Sequence, residues 1–283
     1  MKVCNTIEEI RALCRAERSR GKRLGFVPTM GALHEGHLSL VRAAKVSCDM
    51  VAASIFVNPT QFGINEDLTK YPRNFEHDRA LLEEEGVKFL FAPSVKEMYP
   101  AGAVTWITVE GLSDKLDGRS RSGHFRGVTT VVGKLFHIVE PNAAFFGQKD
   151  AAQVAIIRRM VRDLNFPVEI IACPIVREAD GLAMSSRNVF LDPQQRKQAV
   201  VLHRSLMSVK KSWDAGERDV ARLMGIGRGE FATEKAVRLD YFEIVDPWNL
   251  DPVEDVMGGG LVAVAAFVGV TRLIDNIVLP LSN

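Results

Sequence analysis

Two common ways of tying a protein to a larger partner have no material in this chain. Its longest uninterrupted apolar run, Leu261–Val268, falls far short of the roughly 20 residues that a bilayer span needs. Nor is there an excess of charge of one sign: 36 lysines and arginines stand against 35 aspartates and glutamates, a net charge of +1. That balance excludes a protein held mainly by electrostatics to nucleic acid or an anionic membrane, though not a local basic pocket. Cysteine is scarce as well. Cys4, Cys14, Cys48 and Cys173 make no C-x-x-C pair and no zinc-finger spacing, which argues for free thiols in a reducing compartment. Residues 1–23 are charged and polar, without the apolar core of a secretory signal. The expectation is a soluble, cytoplasmic protein with neither a nucleic-acid nor a membrane partner.

What the chain does have is length for a substantial core, with 283 residues of which 47% are hydrophobic. In its first half short apolar runs alternate with helical patterns. Leu24–Val27, Val51–Val57, Val87–Phe91, Ala143–Phe146 and Val168–Ala172 read as buried strands. Val128, Val131, Val132, Leu135 and Val139 mark one helical face, and Val154, Ile157, Val161 and Leu164 another. Strands alternating with helices predict an α/β fold: a Rossmann-like parallel sheet with helices on both faces. The texture changes after Val176. Helical stretches give way to consecutive strand patterns at Leu239–Val245, Leu261–Val268 and Arg272–Val278, which predict a smaller α+β C-terminal domain. The expected division is 1–176 and 177–283. Gly225, Gly227 and Gly229 follow a helical stretch rather than a strand, so they read as a helix end and not as a phosphate loop.

Ligands of parallel sheets bind beyond the carboxyl ends of the strands, and four polar segments fall at or beyond such ends. Met30-Gly31-Ala32-Leu33-His34-Glu35-Gly36-His37 follows the Leu24–Val27 strand and opens a helix. Backbone N–H groups at a helix start attract anions, and imidazoles can hydrogen-bond phosphate oxygens. Taken alone, the two histidines fit a polar helix start equally well. Their spacing is not the H-E-x-x-H of a zinc site. Asn58-Pro59-Thr60-Gln61 follows the second strand; its amides suit a small polar substrate, but Asn-Pro is also a strong turn signal. Gly147-Gln148-Lys149-Asp150 follows the fourth. Asp150 with Gln153 looks like a capping box, whereas Lys149 at a helix start opposes the dipole unless an anion is present. Met184-Ser185-Ser186-Arg187, beyond the sheet, joins hydroxyls to a guanidinium and suits a clamp on phosphate as readily as a surface linker. Arg119, Arg121, His124 and Arg126 form a basic segment, read as solvated or as an anion-steering rim.

These loops, in this order, resemble the pantothenate synthetase (pantoate–β-alanine ligase) family. The resemblance runs nearly end to end, from Phe26–His37 through Ile55–Phe62, Tyr71–Arg73, Gly123–Val128, Phe145–Asp150 and Met184–Asn188 to Thr271–Asn276. The histidine loop is similar to the H-x-G-H signature of the wider nucleotidyltransferase superfamily, and the Met-Ser-Ser-Arg loop to its K-M-S-K-S type signature. The resemblance implies ATP-dependent joining of pantoate and β-alanine through pantoyl adenylate, with Mg²⁺ and a homodimer. It assigns ATP to Met30–His37, Gly147–Asp150, Val176 and Met184–Arg187. His34, His37, Lys149, Ser185, Ser186 and Arg187 would act on the phosphates, with His37 as general acid. Gln61, Gln153 and Asn58 would hold substrate, and Asp78 would meet Mg²⁺. The chain departs from the family pattern at Ser122, where proline is common, and at His77, within a run that is usually acidic. Another H-x-G-H adenylyltransferase is the alternative enzyme reading, and a non-catalytic nucleotide-binding module the alternative of another class.

Overall fold

The computed structural model describes residues 1–63 and 68–281. By its internal contacts the chain forms two compact units, Met1–Gly147 with Ile156–Pro174, and Gln148–Ala155 with Ile175–Asn283.

The first unit is built on a six-stranded sheet with every pairing parallel. Its strands are β1 (Lys2–Cys4), β2 (Leu24–Thr29), β3 (Met50–Ile55), β4 (Phe89–Phe91), β5 (Ala143–Gly147) and β6 (Glu169–Cys173), in the order β1-β4-β3-β2-β5-β6. The apolar runs become strands because helical crossovers cover the sheet and leave little room for polar side chains. Val27, Val51, Ala53, Leu90 and Phe145 join Leu40, Val41 and Ala44 of the helix Glu35–Ser47 in one core cluster. The strand β1, only three residues long, is the one that periodicity did not predict. It pairs Lys2, Val3 and Cys4 with Phe89, Leu90 and Phe91. The centre of the sheet decides where chemistry can sit. From β2 the chain moves to β3 on one side, then returns to β5 on the other. The carboxyl end of β2 is therefore the switch point at which open α/β sheets hold ligands.

The second unit carries an antiparallel sheet of β7 (Val237–Val245), β8 (Gly260–Val268) and β9 (Thr271–Leu279), in that order. Leu202, Leu206 and Val209 of the helix Val201–Asp214 join Phe242, Val262 and Val264 in its core. The three glycines at 225, 227 and 229 lie inside the helix Val220–Gly229. A Cβ on Gly227 would stand 2.1 Å from the Phe242 ring, so this glycine serves close packing rather than a phosphate.

Candidate active site

The loop after β2 turns sharply, with Gly31 at φ 82° and Ala32 at φ 52°. A non-glycine residue holds that left-handed conformation only where its surroundings impose it. Asp78, on the helix Phe75–Glu84, supplies the constraint. Its Oδ2 accepts the Ala32 N–H at 2.8 Å and its Oδ1 the Leu33 N–H at 2.8 Å. The carboxylate is 1% exposed. Both oxygens accept backbone N–H groups, so Asp78 holds the histidine loop. Among the described residues no group of three or more His, Cys, Asp and Glu side chains could hold a metal ion.

The loop delivers His34 as N-cap of the helix Glu35–Ser47 and His37 as its third residue. The two rings cap the helix reciprocally. His34 Nδ1 accepts the Gly36 N–H at 3.1 Å, and His37 Nδ1 accepts the His34 N–H at 3.3 Å. Their centroids lie 4.2 Å apart. A ring nitrogen that accepts an amide proton carries none itself, so in each neutral imidazole the proton resides on Nε2. The arrangement makes both histidines neutral Nε2–H donors at a helix N-terminus, where backbone and dipole favour an anion. Glu35, expected beside ATP, is an exposed residue ion-paired with Arg42.

After β3 the turn Pro59–Gln61 is capped by Asn58. Asn58 is 1% exposed and its amide is saturated. Its Nδ2 donates to Gln61 Oε1 (3.0 Å) and to the Gly127 carbonyl (3.2 Å), while its Oδ1 accepts from Tyr99 Oη (2.8 Å) and Thr60 Oγ1 (2.9 Å). Burial pushes the Tyr99 phenol up, keeping it an O–H donor. Asn58 is thus part of the frame of this turn. It frames Gln61, whose Nε2 lies 3.0 Å from Met30 Sδ and so joins the two strand-end loops. His124 and Arg121 complete the support. His124 Nδ1 donates to the Gln61 carbonyl at 2.8 Å, and its Nε2 lies 3.0 Å from Arg121 Nη1. Arg126 lies over the Trp106 ring at 4.7 Å. Two members of the supposed steering rim therefore brace the Gln61 turn. A cavity of about 400 Å³ opens beside Met30, Gly31, Phe56, Asn74 and Asp78, and its lining includes neither histidine nor Gln61.

In the second unit, Gln148–Asp150 forms a 3₁₀ turn leading into the helix Ala151–Asp163, with Gln153 half-buried in its first turn. Lys149 Nζ lies 3.3 Å from Asp150 Oδ2, so a neighbouring carboxylate already relieves part of the conflict between this cation and the helix dipole. Val176 accepts the Met184 N–H at 3.0 Å, closing a hairpin over Arg177–Ala183. The chain then enters the 3₁₀ helix Ser186–Phe190, capped by Ser185 through the Arg187 N–H at 3.2 Å. Sequence reasoning missed the supports of these loops, among them Asp275 and Asn276, although both lie in the C-terminal segment that carries part of the family resemblance.

A parallel sheet with a histidine-capped helix at its switch point and polar turns at neighbouring strand ends defines an α/β enzyme of the nucleotide-handling kind. Comparison with known proteins narrows the class. The family model described as pantoate-beta-alanine ligase matches residues 2–278. A pantothenate synthetase from Koribacter versatilis is 61% identical over 279 residues, covering 99% of this chain and 96% of the relative. The structure of a pantothenate synthetase from Thermus thermophilus superposes with a TM-score of 0.93 at 48% identity, covering 98% of this chain and 99% of that one. A pantoate-beta-alanine ligase from Francisella tularensis, complexed with beta-gamma ATP and beta-alanine, gives 0.81 at 33% identity, covering 98% and 97%. The chain belongs to the pantoate–β-alanine ligase family.

Proposed function

We infer that the protein condenses (R)-pantoate with β-alanine to pantothenate, releasing AMP and pyrophosphate. In the first step a pantoate carboxylate oxygen attacks the α-phosphorus of ATP, the bond to the β-phosphate oxygen breaks, and pantoyl adenylate forms. In the second the β-alanine amine attacks the activated carbonyl, loses a proton, and expels AMP. The observation that carries this reading is the family match over almost the whole chain, with the histidine loop intact at the sheet's switch point.

The chemistry asked of the protein is mostly positioning and charge stabilisation. His34 and His37, as Nε2–H donors, answer charge on the leaving phosphates by hydrogen bonding; the proposed general-acid role of His37 requires Nδ1 to take a proton first, giving up its bond to the His34 amide. Lys149, Ser185, Ser186 and Arg187 supply further donors, and Met30–Leu33, Glu35, Gly36, Gly147, Gln148, Asp150, Val176 and Met184 line the nucleotide. Gln61 and Gln153 hold pantoate, with Gln61 kept in place by Asn58, Tyr99 and His124. Mg²⁺ accompanying ATP is assigned mainly to phosphate oxygens and water, with Asp78, whose oxygens keep acceptor capacity beyond their two amide bonds, as the proposed protein contact. The homodimer and the cytoplasmic location rest on the family resemblance.

The test is incubation with Mg-ATP, pantoate and β-alanine, following AMP and pantothenate. Stoichiometric appearance of both, dependent on all three substrates, is the expected result. ADP as product, or AMP release that ignores pantoate, overturns the reading.

A further inference from the structure

Two adjacent polar residues on β9, Asp275 and Asn276, are each 2% exposed. Neighbours on a strand direct their side chains to opposite faces, and each of these has a distinct partner. Asn276 Nδ2 donates to the backbone carbonyls of Gln148 and Lys149, both at 2.9 Å, and Gln148 Nε2 returns to Asn276 Oδ1 at 3.3 Å. Asp275 receives Arg177 in a bidentate pair, at 2.6 and 2.9 Å, and also the Asn276 N–H at 2.7 Å. Arg177 Nη1 in turn donates to the Gly181 carbonyl at 3.0 Å. His203 packs beneath the same turn, where a Cβ on Gly181 would meet its ring at 2.0 Å. The hairpin so gripped runs directly into Ser185.

We propose that Asp275 and Asn276 form a joint that keeps the Lys149 turn and the Ser185–Arg187 turn in register for their shared work on ATP phosphates. The proposal rests on the function inferred above and names these two as positioning residues for its first step. The argument is geometric. The bonds from Asn276 end on backbone carbonyls, so they orient the turn without consuming the Lys149 charge. The bonds from Asp275 neutralise Arg177 and spend it on the hairpin, which marks Arg177 as a support rather than a phosphate ligand. The two anchors are consecutive residues, one Cα–Cα step of about 3.8 Å apart, so neither turn shifts without the other.

The experiment compares the two half-reactions in Asn276→Asp, an isosteric change that turns two donors into an oxygen facing two carbonyls. Pantoate-dependent exchange of labelled pyrophosphate into ATP reads the first half-reaction. Pantothenate release from preformed pantoyl adenylate and β-alanine reads the second. The expected result is a fall in exchange kcat of about 10- to 100-fold, the order expected for misplacement by about an ångström. The pantoate KM should stay within about twofold and the second half-reaction should fall far less. Arg177→Lys, which keeps the charge but not the fork, should show the same asymmetry and carries the test alone if Asn276→Asp does not fold. Equal losses in both half-reactions, or none, overturn the joint. A wild-type protein that shows no pantoate-dependent exchange overturns the functional reading instead.

Discussion

Replacing Asp78 with asparagine isolates the clamp on the histidine loop. The native carboxylate takes two amide N–H bonds of 2.8 Å in a site that is 1% exposed. Asparagine keeps one acceptor oxygen and sets an NH₂ against the other N–H. One charge-assisted bond, worth about 1.5–3 kcal/mol, is lost, and a buried N–H is left unpaired at roughly 1–3 kcal/mol; the two overlap, so about 2–4 kcal/mol is the expected loss. For a chain of this size that corresponds to a fall in Tm of roughly 4–16 °C. The loop backbone, already in the left-handed region at Gly31 and Ala32, would relax, and His34 and His37 would move with it. A displacement of about an ångström costs on the order of 100-fold in rate. Differential scanning fluorimetry without ATP or Mg²⁺, alongside adenylation rates over a Mg²⁺ titration, checks both effects. A variant that melts like wild type and regains full activity at high Mg²⁺ would refute the clamp and leave Asp78 with a metal-binding role alone.

Four further outcomes follow from packing, titration and hydrogen bonding. Gly227→Ala should destabilise by about 1–2 kcal/mol in denaturant melts, because the clash with Phe242 costs roughly 1–3 kcal/mol against a helix-propensity gain of up to about 1 kcal/mol. Gly225→Ala, with no atom within 4 Å of the new Cβ, should stabilise by up to about 1 kcal/mol instead. Burial pushes the Cys14 thiol up to about 12, and raises Cys4 and Cys173 too. At pH 8 these three are therefore neutral thiols, and a thiol reagent should label Cys48 alone, half-buried as it is, until denaturant exposes four. Tyr99→Phe removes one donor to Asn58; it should cost about 0.5–1.5 kcal/mol of stability and raise the pantoate KM several-fold with little change in kcat, read by steady-state kinetics.

The buried runs at β2, β3 and β5 were legible because a strand covered on both faces must be apolar throughout, and the strand-end loops were legible from their polarity. What the sequence hid is long-range satisfaction of hydrogen bonds. Asp78 lies 46 residues from the Ala32 amide that it holds, and Asn58 is saturated by Tyr99 and Gly127, which are 41 and 69 residues away. No local pattern announces such partners, so the structural duty of neither side chain is readable from the sequence. β1 escaped because three residues carry no measurable period. The reciprocal histidine cap had a readable signal: His34 and His37 take the N-cap and N3 spacing of a capping box, but histidine is not among the residues usually sought there.

That cap places two independent demands on a single ring. One edge of His34 accepts from the helix backbone while the other nitrogen carries the ring's proton, and a rigid five-membered ring with nitrogens on both edges meets both demands at once. Asparagine can begin the helix equally well, but its amide does everything at one end and reaches less far. His34→Ala would therefore confound two losses, a frayed helix end worth about 0.5–2 kcal/mol and a missing donor. His34→Asn would separate them. The freedom of this position to vary is narrowed from two sides, and a residue chosen for chemistry alone would leave the helix that carries His37 without its first anchor.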